Sequence, residues 1–341
     1  MFELGSLPRS LPAALRDVGN PRPEIRLSAL RDLIRHARAG ETEAASALLE
    51  ALKDPDEGVR AASALGLADA DIRFAVARLL ELAEADASAR VRQMALLALG
   101  ELASAEHTGV IDFLWNAVSS RTPAERFQAL LALHQLDPER AEQAVVEGTV
   151  DPDPEVRRLS FRIAEAHWAE RELPELLSAR AKAALLEAHP RVRTAAALLL
   201  AHFGDNSGEA GLLELLAGKV PDAGLDDEQA AMEAVAKLGI RAAIPLLERR
   251  AYSWFGRRDP QGYHARIALA RLGDEKAKRA ILRGLDAWTF TARTQSVAAA
   301  GRAGLREARR RLEAFSSQPD RADPVAVREA LALLDAAETR R

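Results

Sequence analysis

One short motif returns along this sequence roughly every 34 residues, and a return of that length confines the fold to a stack of similar modules. It is clearest in "DPDEGVRAASALGLAD" (54–69) and "DPDPEVRRLSFRIAEAH" (151–167). It recurs as "HPRVRTAAALLLAHFGD" (189–205), "DPQGYHARIALARLGD" (259–274) and "DPVAVREALALLDAA" (323–337). An arginine marks nearly every copy: Arg26, Arg60, Arg92, Arg126, Arg157, Arg193, Arg266, Arg293 and Arg328. One copy without arginine falls near Gln229–Met232, which brings the expected total to about ten repeats.

Each copy reads as the start of a helix. Asp or Asn supplies an oxygen to free N–H groups at the helix start. Proline fits the first helical position, where its missing N–H has no partner to lose. Acidic residues in the first turn suit the positive end of the helix dipole. Ala and Leu then recur at helical spacing, as Val59, Ala62 and Leu65 show. A second helix fills each gap, for example "ETEAASALLEALK" (41–53). The repeat is therefore an antiparallel helix pair. Neither helix of a pair can bury its apolar face alone, so neighbours must stack. The expectation is an all-α fold: an α-solenoid, or superhelix, of about ten antiparallel helix pairs, running as a single array over 1–341.

Aromatic residues make up only 4% of the chain, so Ala and Leu must build the core. The absence of cysteine excludes disulfides, thiolate metal sites and a cysteine nucleophile, and fits a reducing, cytoplasmic location. The first residues lack a basic segment followed by an apolar run, so no secretory signal is expected. Six Lys against 41 Arg suggests a GC-rich, bacterial genome. Net charge is −4, unevenly spread: 26 Lys+Arg face 39 Asp+Glu over residues 1–240, whereas 18 face 8 over 241–321. A subarray junction is expected near 218–228, where the motif lapses and the charge changes sign. Such polarity steers acidic partners to one end.

The "DPxxxVR…A…LG" pattern resembles HEAT repeats, in particular the short bacterial HEAT-like repeats also found in phycobilin lyases. The resemblance covers about 20–338 and implies the fold. It also implies that the repeated arginine pairs with the capping aspartate of an adjacent repeat. On that reading Arg26, Arg60, Arg92, Arg126, Arg157, Arg193, Arg266 and Arg328 are structural, with Arg60 and Arg157 beside Asp54 and Asp151.

No catalytic, metal or cofactor motif emerges. None of the seven histidines sits in an H-E-x-x-H frame, and no His-Glu dipeptide occurs, which disfavours a resemblance to the iron-dependent HEAT-repeat hydroxylase of deoxyhypusine. A HEAT-like DNA-binding protein or glycosylase working through the basic C-terminal repeats is one alternative, and a phycobilin-lyase-like enzyme another. The acidic first 240 residues oppose wrapping of duplex DNA.

The remaining outlier is "YSWFGRRDPQGYHAR" (252–266), which holds both tyrosines of the chain. It reads as the turn of the eighth pair, and "LDAWTFTAR" (285–293) falls at the next equivalent turn. Tyr252, Trp254, Phe255, Arg257, Arg258, Tyr263, Trp288, Phe290 and Arg293 are the expected partner-binding residues, because Trp, Tyr and Arg dominate interface energetics. The expected function is a non-catalytic protein-interaction scaffold that binds another protein or peptide, acidic in character, through the repeat groove and this ridge.

Overall fold

The computed structural model describes residues 8–120, 122–252 and 261–339. Among them the chain is all-α, with twenty α-helices and no strand. It falls into two compact units, residues 1–167 and 168–341. The first holds α1 (Leu11–Asp17), α2 (Pro23–Arg38), α3 (Thr42–Ala51), α4 (Glu57–Asp69) and α5 (Val76–Ala85). It continues with α6 (Ala89–Leu102), α7 (Thr108–Ala117), α8 (Pro123–Leu136), α9 (Pro138–Gly148) and α10 (Pro154–His167). The second holds α11 (Glu175–Ala184), α12 (Pro190–His202), α13 (Glu209–Leu216), α14 (Leu225–Leu238) and α15 (Ile244–Tyr252). It ends with α16 (Gln261–Arg271), α17 (Glu275–Gly284), α18 (Phe290–Arg302), α19 (Arg309–Ser316) and α20 (Pro324–Thr339). Twenty helices make ten pairs, each an odd-numbered helix followed by the even-numbered one that carries the motif. The segment 218–224 lies inside the second unit, between α13 and α14.

In both units successive even-numbered helices pack directly on one another, whereas the odd-numbered ones meet mainly through them. Small residues permit that closeness. A Cβ added at Gly100 on α6 would lie 2.9 Å from the Cβ of Ala132 on α8. The core is what the composition requires: Val59, Ala64 and Leu67 on α4, and Ala95 and Leu99 on α6, are fully buried. Each leucine so buried contributes about 2 kcal/mol.

The helix starts differ from expectation in one respect. In "DPDE" the cap of α4 is Asp56, which accepts from the N–H of Val59, and not Asp54. Asp54 instead accepts the N–H of Asp56 and closes the turn before it. The second acid likewise receives helix N–H groups in "DPDPE": Asp153 accepts from Glu155 and Val156, while Asp151 accepts from Asp153. The physical reason is distance along the chain. Only the acid at the helix boundary reaches the first free N–H groups, which leaves the earlier one for a different partner.

Candidate partner-binding site

That partner is arginine. Arg26 Nε and Nη2 donate to the two oxygens of Asp54 at 2.7 and 2.6 Å. Arg60 grips Asp86 in the same way at 2.7 and 3.0 Å, and Arg126 grips Asp151 at 2.8 and 2.7 Å. Each arginine also turns Nη1 back to the turn that precedes its own helix. Arg60 donates there to the carbonyls of Asp54 and Pro55, and Arg157 to those of Asp151 and Pro152. One guanidinium thus fixes its own turn and clamps the carboxylate of the next pair. The Arg60 hydrogen bond holds the Asp86 carboxyl below the usual range, against the opposing effect of burial.

The acceptor varies where the sequence does. Ser120 stands in the α7–α8 turn where Asp54 stands in the α3–α4 turn, so Arg92 turns to Glu125 on α8, at 2.9 Å. Ser120 donates its hydroxyl to the other oxygen of that carboxylate. Arg193 takes Glu214 on α13 at 2.8 Å.

The ladder changes in the second unit, and the change is visible by counting back from the glycines that end the even-numbered helices with positive φ. These are Gly204, Gly239, Gly273 and Gly304. Arg193 precedes Gly204 by the same interval that separates Arg293 from Gly304. That interval back from Gly239 reaches Glu228, and back from Gly273 it reaches Gly262. Glu228 therefore holds the arginine position of the seventh pair. It accepts two bonds from Arg250 on α15, both at 2.6 Å, so the charges of this rung are reversed.

Arg266 departs from the expected series, because it stands one helical turn further into α16 than its counterparts. The turn before its helix, 253–260, lies outside the described residues. Its Nη1 donates to the carbonyl of Ala251, at 3.4 Å. Arg293 keeps the position and bonds the carbonyls of Ala287 and Trp288, but its Nε reaches the carbonyl of Arg321 instead of a carboxylate. Arg328, on α20, is exposed.

Displaced in this way, Arg266 lines a cavity of about 480 Å³ among α15, α16, α17 and α18. Both tyrosines line it, with Lys276, Gln295 and Ser296. Ala251, Ala280, Ile281 and Ala299 supply apolar wall. The phenols are committed as donors: Tyr252 bonds Asp274 and Tyr263 bonds the carbonyl of Gln295, both at 3.2 Å. Asp274 also caps α17 through the N–H of Ala277. The Lys276 ammonium lies 3.7 Å from the centre of the Tyr252 ring. Among the described residues neither Arg266 nor Lys276 forms an ion pair with a carboxylate. Among the described residues the result is a pocket with two positive charges that no carboxylate pairs, Asp274 held at its edge by Tyr252, and an apolar wall, suited to a singly charged anion.

Burial, then the charge and hydrogen bond of Asp274, push the Tyr252 phenol up to about 12. Burial also raises Tyr263. A phenol raised in the folded state stabilises it fully below the ordinary phenol range, and that contribution is lost as pH climbs through the folded value. Ultraviolet titration of the native protein is expected to show no phenolate step near pH ~10. Phenolate should appear at higher pH, together with loss of helical signal.

The other expected binding residues separate. Trp288 is 96% exposed and Phe290 45% exposed, at the turn leading into α18. Trp254, Phe255, Arg257 and Arg258 lie outside the described residues. The sequence reading missed Lys276, Asp274 and the Glu228–Arg250 pair. Counting from the terminal glycine of each helix, instead of from arginine to arginine, would have exposed the displacement of Arg266. Among the described residues no group of three His, Asp or Glu is placed to hold a metal ion, and no helix is long and apolar enough to cross a membrane.

A family profile for HEAT repeats matches residues 9–100 and again 76–164. Over residues 9–164 the chain is built of HEAT repeats. The second unit continues the same pairing of helices and, at Arg193 and Arg293, the same stapled turn. Among solved structures the chain is similar to YibA of Escherichia coli, at 16% identity and a TM-score of 0.55, over 77% of this chain and 92% of that one. A mutant of Kap121p aligns at 14% identity with a TM-score of 0.36, over 98% of this chain; the match spans 42% of Kap121p. No curated protein matches the sequence. HEAT repeats build scaffolds that often mediate protein interactions, and such solenoids are typically non-catalytic.

Proposed function

We propose that this HEAT-repeat chain is a non-catalytic scaffold that captures an acidic protein partner on the face around Tyr252, Tyr263, Arg266, Trp288 and Phe290. The observation that carries the reading is Trp288, 96% exposed on the most basic stretch of the chain. A large indole held in water is costly, and covering it with a partner recovers about 2 kcal/mol or more. The surrounding excess of arginine selects for negative charge and speeds encounter.

The test is affinity capture from the source cells with the intact chain and with Trp288→Ala/Phe290→Ala. Both side chains are exposed, so the double variant keeps its fold. The intact chain is expected to hold one protein in stoichiometric amount, released by salt, and the variant to lose it. Equal yield of the same protein on both baits would place the interface elsewhere.

A further inference from the structure

The cavity of Arg266 has a feature that the exposed indole does not explain. Wherever an arginine on α2, α4, α6 or α8 is sunk to a similar depth, it meets a carboxylate from the next pair. The reason is electrostatic. A guanidinium partly removed from water loses hydration, and an anion with two oxygens in its plane replaces that hydration best. Arg266 is partly buried but has shifted off the ladder, so no described carboxylate of its own chain reaches it. Among the described residues its one hydrogen bond is a long one, to a carbonyl, and most of its five N–H donors meet no described acceptor. Lys276, on the facing helix, adds a second unmatched charge to the same cavity.

We infer that this cavity is a socket for a carboxylate side chain, Asp or Glu, of the acidic partner. The proposal rests on the scaffold reading above and adds what enters and what holds it. Arg266 supplies paired N–H donors, as Arg60 does for Asp86. Lys276 supplies the second positive charge. The apolar wall of Ala280, Ile281 and Ala299 receives the methylene stem. A singly charged carboxylate fits better than a phosphate dianion, because Asp274 stands at the Tyr252 hydroxyl and repels the extra charge.

The probe is a fluorescein-labelled peptide of alternating Asp and Leu, compared with the same peptide carrying Asn for Asp. Binding is followed by fluorescence anisotropy on the full chain. The Asp peptide is expected to bind at least about tenfold more tightly than the Asn peptide. Arg266→Gln should remove most of that difference, Lys276→Gln a part of it, and Arg266→Lys should retain some. Arg310→Gln, on an exposed arginine of α19, controls for general loss of positive charge. Circular dichroism confirms that each variant is folded.

Equal binding of the Asp and Asn peptides overturns the socket, as does an Arg266→Gln effect no larger than that of Arg310→Gln. Tighter binding of a phosphoserine peptide than of the Asp peptide overturns the carboxylate assignment. None of these outcomes touches the scaffold reading, which stands or falls on Trp288 and Phe290.

Discussion

Arg126→Ala is expected to lower the stability of the protein by about 3 kcal/mol, the cost of leaving a buried carboxylate without its partner. The Arg126 and Asp151 side chains are only 11% and 10% exposed, and the geometry is a two-point clamp. Truncating the arginine strands Asp151 beneath the turn, still accepting the N–H of Asp153 but with its charge unmatched. It also frees the carbonyl of Ser120, which Arg126 Nη1 holds at 3.0 Å. Two turns loosen through one substitution. Adding Asp151→Ala to Arg126→Ala should recover part of the loss, because the stranded charge disappears with it. Chemical denaturation of the two single variants and the double variant checks this. A double variant that loses the sum of the two single losses would mean that the pair contributes nothing as a pair.

Gly301→Ala is the second large effect. The added Cβ would lie 2.5 Å from Cα and 2.7 Å from Cβ of Ala330, where α18 crosses α20. The obstacle is backbone and cannot turn aside, so the two helices must part. The expected loss is about 2 kcal/mol or more. Gly284→Ala is the matched control. There the new methyl meets the side chain of Ser296, whose hydroxyl can rotate away. Thermal denaturation should separate the two variants clearly. Similar losses for both would show that α18 and α20 yield more easily than their close crossing implies.

The contrast between these glycines also marks what a one-dimensional reading reaches. The helix pairs are legible because their signals are local. A polar cap, a proline and a run of Ala and Leu each act within a turn or two, and together they recur along the chain. The arginine is legible as a recurring feature for the same reason. Its acceptor is not, because Asp54 and Asp56 look alike in sequence, and only the start of α4 decides which of them caps and which meets Arg26. Arg266 shows a subtler failure. It follows a DP dipeptide as Arg60 and Arg157 do, so the pattern admits it, yet the end of its helix at Gly273 places it one turn too deep. Aligning repeats by their starts hides such a displacement, and aligning them by their ends reveals it. Lys276 escaped for a different reason: it carries no motif, and only the packing of α15 and α17 on the shared α16 brings it over Tyr252.

The clamp between successive pairs has a direction, and direction governs which modules can be joined. A pair such as α3–α4 presents an acid to its predecessor through Asp54 and a base to its successor through Arg60. Like a coupling with a plug at one end and a socket at the other, it can be duplicated in tandem and every join stays matched. The α13–α14 pair is built otherwise. It offers Glu214 backward and Glu228 forward, so it is acidic at both ends. A module that brings a base on its first helix, as α15 brings Arg250, is the kind that matches it. Copying within the early pairs therefore keeps each join matched, whereas separating the eighth pair from the seventh would leave Glu228 without Arg250.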